Sequence, residues 1–398
     1  MTDGTAVPDD RSDDVGPSFS VDGLRTYLRC PRRYEFTHVH DLEGAADVAT
    51  GSGGPEAEAT VERVALLRTA ICDALEDGAS DADADALAER VAARLASLWA
   101  DHDERFHSRA QRRHERRMLE ATVEAYAERF GADHAAGVRR LEEEFADGSR
   151  DHDRNANAHD SERHTETDAG SPFVGPDLRL SSSVRPARST EGGPRSDLAG
   201  REEEPAPVEI TASIDYVYAD DASLVAVRFV PTLWSLGSLR YRSDWERVED
   251  LFVDHFDPEA NAFDPDPAAA LLETAVVLDG LRNYRDRLGL SARTCRYVQI
   301  PLADRSDASI NWVRDTVETT IDAADLTDVY VDHHTFGMTH EHRNETVDDR
   351  LESVVGEIRS GAFDPSERWD DIASDACPDC AYRVCCGDFL ETEVGFDA

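Results

Sequence analysis

The feature that most constrains this chain is the placement of its cysteines. Cys377-Pro378-Asp379-Cys380-Ala381-Tyr382-Arg383-Val384-Cys385-Cys386 holds four of the seven. Cys377 and Cys380 form a C-x-x-C pair, whose tight loop lets two thiolates reach one metal centre, and a cysteine a few residues on can close a third position. The best candidate for the fourth is Cys30, in Tyr27-Leu28-Arg29-Cys30-Pro31-Arg32-Arg33-Tyr34-Glu35-Phe36, almost the whole chain away. Four such ligands would tie the two ends of the chain together. Four thiolates suit zinc or an iron–sulfur cluster. Cys72, on an apolar helical face, and Cys295, at the start of a strand-like run, read as buried hydrophobes instead. Cys385 competes with Cys386 for the third position.

Charge bounds the setting. The 398 residues carry 84 Asp and Glu against 42 basic residues, every one an arginine, for a net charge of −42. An acidic surplus without lysine points to a salt-loving host. At ~1 M salt the Debye length falls to ~3 Å, so net charge does not exclude a nucleic-acid partner. An acidic, disordered interaction protein is the alternative; the 40% hydrophobic content and periodic helices argue for a packed core. No apolar signal region and no apolar run near 18 residues stands in the sequence, so a cytoplasmic protein without a membrane partner is expected. In that compartment cysteines read as metal ligands rather than disulfides.

Taken in order, residues 1–17 read as a disordered tail and 18–145 as a helical region carrying the first cysteine. Val21 to Tyr34 is a short helix interrupted at Pro31, and Gly51 to Pro55 is a loop. A helix bearing Val61, Val64, Leu67, Ile71 and Leu75 follows, then another from Asp81 to Trp99. A long helix from about His102 to Phe130 carries the one basic concentration: Arg105, Arg109, Arg112, Arg113, Arg116 and Arg117, with His107 and His114. Clustered basic side chains on a helix neutralise phosphates; a solvated face with partners such as Glu115 and Glu120 is the alternative. Residues 146–206 read as a disordered polar insertion in which His152, His159 and His164 face solvent. The remainder, 207–398, alternates strands and helices. Val208 to Thr232 reads as two strands joined at Ala219-Asp220-Asp221-Ala222, Cys295 to Leu302 as a strand, Ser309 to Ala324 as a helix, Val329 to Val331 as a strand and Val347 to Ser360 as a helix. His333, His334, His340 and His342 form a polar loop cluster matching no familiar ligand spacing.

Ser18, Ser20, Tyr27, Cys30, Pro31, Tyr34 and Phe36 at one end, with Phe363, Pro365, Cys377, Cys380, Tyr382 and Cys386 at the other, make a compound motif. It resembles the RecB-type nuclease superfamily, within it the iron–sulfur branch of AddB-like subunits and CRISPR-associated exonucleases. The resemblance implies an α/β fold of PD-(D/E)XK (restriction-endonuclease-like) type, with a mixed central sheet, an inserted helical region and a C-terminal iron–sulfur staple. It also implies a [4Fe–4S] cluster, with zinc the alternative, on Cys30, Cys377, Cys380 and Cys386, the family spacing selecting Cys386 over Cys385. DNA is the implied partner, beside a helicase or nuclease subunit in repair, recombination or CRISPR-related processing.

The same resemblance shows what is missing. Metal-dependent phosphodiester hydrolysis needs clustered carboxylates around Mg²⁺ or Mn²⁺ and a cation, usually lysine. Aligned with the family strands, Asp215 keeps the first carboxylate, but the second falls on Arg228 and the lysine on Val230. The family's first-helix histidine is absent between His40 and His102, and Tyr284 lacks its preceding glutamine. The expectation is a DNA-binding, catalytically degenerate protein in which Asp215 is residual and Mg²⁺ or Mn²⁺ is not retained. The alternatives are an active nuclease using other carboxylates, and a zinc-bound scaffold that does not touch DNA.

Overall fold

A computed structural model describes residues 19–42, 55–77, 84–155, 171–187, 205–233, 252–260, 262–306, 308–311, 314, 316–331 and 341–393. The chain enters through strand β1 (Phe19–Ser20), where the Ser20 hydroxyl accepts the Gly23 N–H at 3.1 Å and so caps helix α1 (Val21–Arg29). Cys30 ends that helix in extended backbone and opens α2 (Pro31–Tyr34). Pro31 takes the first helical position, where no N–H is needed, and the Cys30 thiol accepts the Arg33 N–H at 3.4 Å. A π-helical turn, Glu35–Val39, follows.

Helices α3 (Pro55–Asp77) and α4 (Ala84–Asp101) bury Leu67, Ile71 and Leu75, and Leu87, Val91 and Leu95, in one core. Helix α5 (Arg109–Tyr126) runs through a π-helical turn (Ala127–Gly131) into α6 (Ala132–Asn155). Then come β2 (Val174–Val184), β3 (Val208–Asp220), β4 (Ser223–Val230), α7 (Pro265–Arg287) and β5 (Thr294–Pro301). Small elements follow: β6 (Ser309–Asn311), β7 (Thr316–Glu318), β8 (Ala324–Asp325) and α8 (Leu326–Tyr330). The chain closes on α9 (Glu345–Ser360), α10 (Trp369–Asp375) and α11 (Gly387–Glu393).

The central sheet is mixed. β3 pairs antiparallel with β2 and β4 and parallel with β1; β4 pairs parallel with β5, which pairs antiparallel with β8. The parallel β4–β5 pair needs a crossover, which α7 supplies. Alternation along β4 sends Phe229 toward Tyr126 and Tyr216, and Arg228 toward α7. Two glycines let helices press onto strands. A Cβ at Gly137 of α6 would stand 2.6 Å from the Ala219 carbonyl oxygen, and one at Gly280 of α7 would stand 2.9 Å from the Leu180 Cβ.

The two ends of the chain meet. The Tyr27 hydroxyl donates to the Ala362 carbonyl at 2.8 Å, Tyr34 stacks on Phe363 at 5.9 Å, and Arg32 pairs with Asp388 at 2.8 Å. Among the described residues no helix is long and apolar enough to cross a membrane.

Several expectations are corrected. The basic helix begins at Arg109, not near His102, because Ser108 caps it by accepting the Gln111 N–H; Arg105 and His107 precede it. The insertion expected across 146–206 contains β2, an eleven-residue strand of the central sheet, and α6 reaches Asn155. Where a helix was expected from Ser309 to Ala324 the chain forms the β6–β7 hairpin, and the expected strand at Val329 to Val331 falls on α8 and its end. The expected tail at 1–17, the Gly51-to-Gly54 loop, His159, His164, His333, His334 and His340 lie outside the described residues, as does the His152 side chain.

Candidate functional site

The β3–β4 hairpin carries the expected active-site positions, and its ladder supplies the reason they converge. Cα pairing between the strands runs from Asp220↔Ser223 to Tyr216↔Val227 and stops there. Beyond it Asp215, wholly buried, turns one carboxylate oxygen to the Phe229 N–H at 2.6 Å. The other oxygen accepts Arg68 Nε of α3 at 2.7 Å. Arg68 also donates to the Pro176 carbonyl, so one guanidinium joins α3, β2 and β3. Burial pushes the Asp215 carboxyl up to about 6, against the opposing pull of Arg68 and the Phe229 N–H.

Arg228 points to the other acid of this region. Its Nη1 donates to Glu273 Oε1 of α7 at 2.7 Å, and its Nη2 lies 3.4 Å from Asp22 of α1. Glu273, 1% exposed, also accepts Arg25 Nη2 at 2.8 Å, the Tyr297 hydroxyl, and Gln299 Nε2 at 3.2 Å. Burial alone would raise its pKa, but Arg228 and Arg25 outweigh that and hold the carboxyl below its ordinary range. Val230, half-buried, offers no ionisable group at the lysine position.

The region therefore holds two buried carboxylates, each saturated by guanidinium. Arginine stays charged at any accessible pH and donates in a fixed fork, so each carboxylate has a built-in counter-ion. Arg68 and Glu273 were not singled out from sequence, yet each leaves a trace there. Arg68 interrupts the Leu66-Leu67 to Thr69-Ala70-Ile71 stretch of a core helix, and Glu273 is the lone charge between Ala268 and Leu278.

The cysteines converge as well. Cys30, Cys377, Cys380 and Cys386 line one small cavity together with Phe36, Trp369, Tyr382 and Phe389. Cys30, Cys377 and Cys386 are buried and Cys380 half-buried, whereas Cys385 is exposed and turns its thiol toward the Tyr382 carbonyl at 3.3 Å. Burial pushes the Cys30 thiol up to about 12 and the Cys377 thiol up to about 11. Among the described residues no group of three or more His, Cys, Asp or Glu side chains is drawn tightly enough to hold a metal ion. Cys72 and Cys295 are buried in the main core, away from that cavity.

The arginines of α5 divide. Arg116 pairs with Glu120 at 2.8 Å, and Arg112 lies over the Trp99 ring at 5.9 Å. Arg117 is half-buried and held within the protein. Arg105, Arg109 and Arg113 are exposed and make no ion pair with a described residue. Glu115 is not their partner: it is buried between Arg63 at 2.8 Å and Arg305 at 2.6 Å.

No curated protein matches the chain. The PD-(D/E)XK nuclease superfamily profile matches residues 18–227, just over half of it, from the residue before β1 to the strand that carries Arg228. The mixed sheet with flanking helices agrees with that core, and the chain belongs to the PD-(D/E)XK nuclease superfamily.

Proposed function

We propose that this protein binds DNA as a catalytically degenerate, RecB-type member of its superfamily, and that a [4Fe–4S] cluster joins the two ends of the chain. One observation carries the loss of catalysis: both buried carboxylates of the region, Asp215 and Glu273, are already neutralised by Arg68, Arg228 and Arg25. A divalent cation needs several open oxygen ligands. Here it would have to expel guanidinium groups that cannot lose their charge. The test is incubation of purified protein with single- and double-stranded DNA in Mg²⁺ or Mn²⁺. No cleavage is expected. Reproducible cleavage that disappears in Asp215→Ala would mean that other carboxylates complete the site.

The cluster reading rests on the donor set. Four soft sulfur donors border one cavity, enclosed by aromatic side chains, with an N–H aimed at Cys30 Sγ. That number and type of ligand fit a [4Fe–4S] cluster, which would supply a covalent tie between the termini. Zinc suits the same donors. Iron and zinc contents of anaerobically purified protein distinguish the two. DNA contact rests on Arg105, Arg109 and Arg113, three exposed arginines close together in sequence that make no ion pair with a described residue, while a role beside a helicase or nuclease in repair, recombination or CRISPR-related processing rests on the family likeness alone.

A further inference from the structure

A cavity of about 500 Å³ lies next to α1, which offers Arg25 to Glu273 and Tyr27 to this space. Small-molecule sites run roughly from 300 to 1,000 Å³. Its apolar part includes Leu28, Pro31, Val354 and Ile372. One wall is a single face of α9, along which Arg350, Ser353, Glu357 and Ser360 follow at helical spacing.

Its two ends differ in chemistry. At one, Arg350 lies over the Phe256 ring at 4.3 Å and makes no ion pair with a described residue. Several sheltered arginines, Arg29, Arg32, Arg68, Arg228, Arg296 and Arg368, each hold a carboxylate instead. In a chain with twice as many acids as bases, the guanidinium donors of Arg350 remain available to something in the cavity. Beside it stands His255, only 6% exposed. Its Nδ1 accepts the Asp264 N–H at 3.2 Å, which places the ring proton on Nε2, and that nitrogen has no partner among the described residues. Burial, with Arg368 and Arg350 nearby, lowers the His255 pKa to about 4, so the ring is a neutral donor near pH 7.

At the other end Glu357 accepts Ser353 Oγ at 3.1 Å, and the Tyr27 hydroxyl, whose proton goes mainly to the Ala362 carbonyl, lies 3.3 Å from its other oxygen. Seven residues of helix separate Arg350 from Glu357, about 10 Å along the axis. The remaining carboxylates at its border, Asp364 and Glu367, are exposed.

We propose that this cavity binds a nucleotide, with the phosphate on Arg350 and His255 and an N–H edge of the base at Glu357. A guanidinium fork is suited to phosphate, and the span of two helical turns suits the distance from a phosphate to the far edge of its base. A free mononucleotide and the 5′-terminal nucleotide of a DNA strand present the same chemistry. The site is separate from the Asp215 region and does not depend on whether that region is catalytic.

Calorimetric titration of the full chain tests this with dGMP, deoxyguanosine and inorganic phosphate, and in parallel with 5′-phosphorylated and unphosphorylated oligonucleotides. The phosphate is expected to improve affinity on the order of tenfold to a hundredfold, the worth of a charge-assisted hydrogen bond. Arg350→Gln should abolish that advantage with only a small fall in melting temperature, since Arg350 has no ion pair to lose and gives up only its contact over the Phe256 ring. Glu357→Gln should weaken dGMP and deoxyguanosine alike. Saturable binding of dGMP identifies the free nucleotide as ligand; a response confined to the phosphorylated strand, and lost in Arg350→Gln, identifies a strand end. The proposal is overturned if neither ligand binds, if the phosphate gives no advantage, or if Arg350→Gln binds as well as the native protein.

Discussion

Glu273→Gln isolates the ion pair on which the proposed loss of metal chemistry rests. The substitution keeps the shape of a side chain that is 1% exposed but removes its charge. Arg228, 17% exposed, would keep only Asp22 at 3.4 Å, and Arg25 would lose its buried partner. Taking one member from a buried ion pair costs about 3 to 5 kcal/mol, because the other charge stays behind without compensation. Arg228→Met should cost less, about 2 kcal/mol, since Glu273 retains Arg25, Tyr297 and Gln299. Replacing both, as Arg228→Met with Glu273→Gln, should cost about 1 to 3 kcal/mol less than the two losses combined. Urea denaturation in concentrated KCl, followed by circular dichroism, measures all four corners of the cycle. If Glu273→Gln stays within about 0.5 kcal/mol of the native protein, the range of ordinary surface changes, this pair is not what closes the site.

Three further outcomes are expected. Cys30→Ser should lose the metal of the proposed cluster and lower the melting temperature as much as Cys377→Ser, while Cys72→Ser leaves metal content unchanged; full metal in Cys30→Ser removes that residue from the ligand set. Replacing Arg105, Arg109 and Arg113 with glutamine should weaken DNA binding for all sequences alike and reduce the salt slope by roughly one unit for each phosphate no longer neutralised; an unchanged slope in anisotropy titrations returns these arginines to a solvated face. Asp215 has a folded pKa near 6 against an ordinary 3.8, so the native state binds its proton first. Its contribution to stability is therefore complete below about 3.8 and is lost as the pH rises through about 6. Native protein should gain stability over Asp215→Asn on acidification through that window, and a pH-independent difference in urea midpoints contradicts the shift.

What the sequence discloses and what it hides follow from local physics. The β3–β4 hairpin is legible because its apolar residues alternate and its turn is Asp221-Ala222, with Asp221 at φ 43°, a left-handed conformation that aspartate tolerates. Both α1 and α2 are legible because Ser20 and Pro31 mark their starts. β2 is hidden because its polar flanks dominate the composition; only Leu180, Ser182 and Val184 alternate inward near its end. The β6–β7 hairpin is missed because Ile310, Val317 and Ile321 also fit a helical period. Of the Asp215 region, the missing carboxylate and lysine can be read residue by residue. Its guanidinium partners cannot, since Arg68 lies 147 positions from Asp215 and Arg228 lies 45 from Glu273.

The hydrogen bond between Tyr27 and Ala362 joins positions 335 residues apart. A ribosome adding roughly 5 to 20 residues per second needs roughly 20 to 70 s to cover that interval. Throughout it Tyr27 and Tyr34 lack Phe363, and Arg32 lacks Asp388. A segment made more than three hundred residues before its partners is thus among the last to find its place, and it waits with aromatic surface uncovered. Translation speed and chaperone supply should accordingly set the yield of this protein, and a pause placed before residue 363 should lower it.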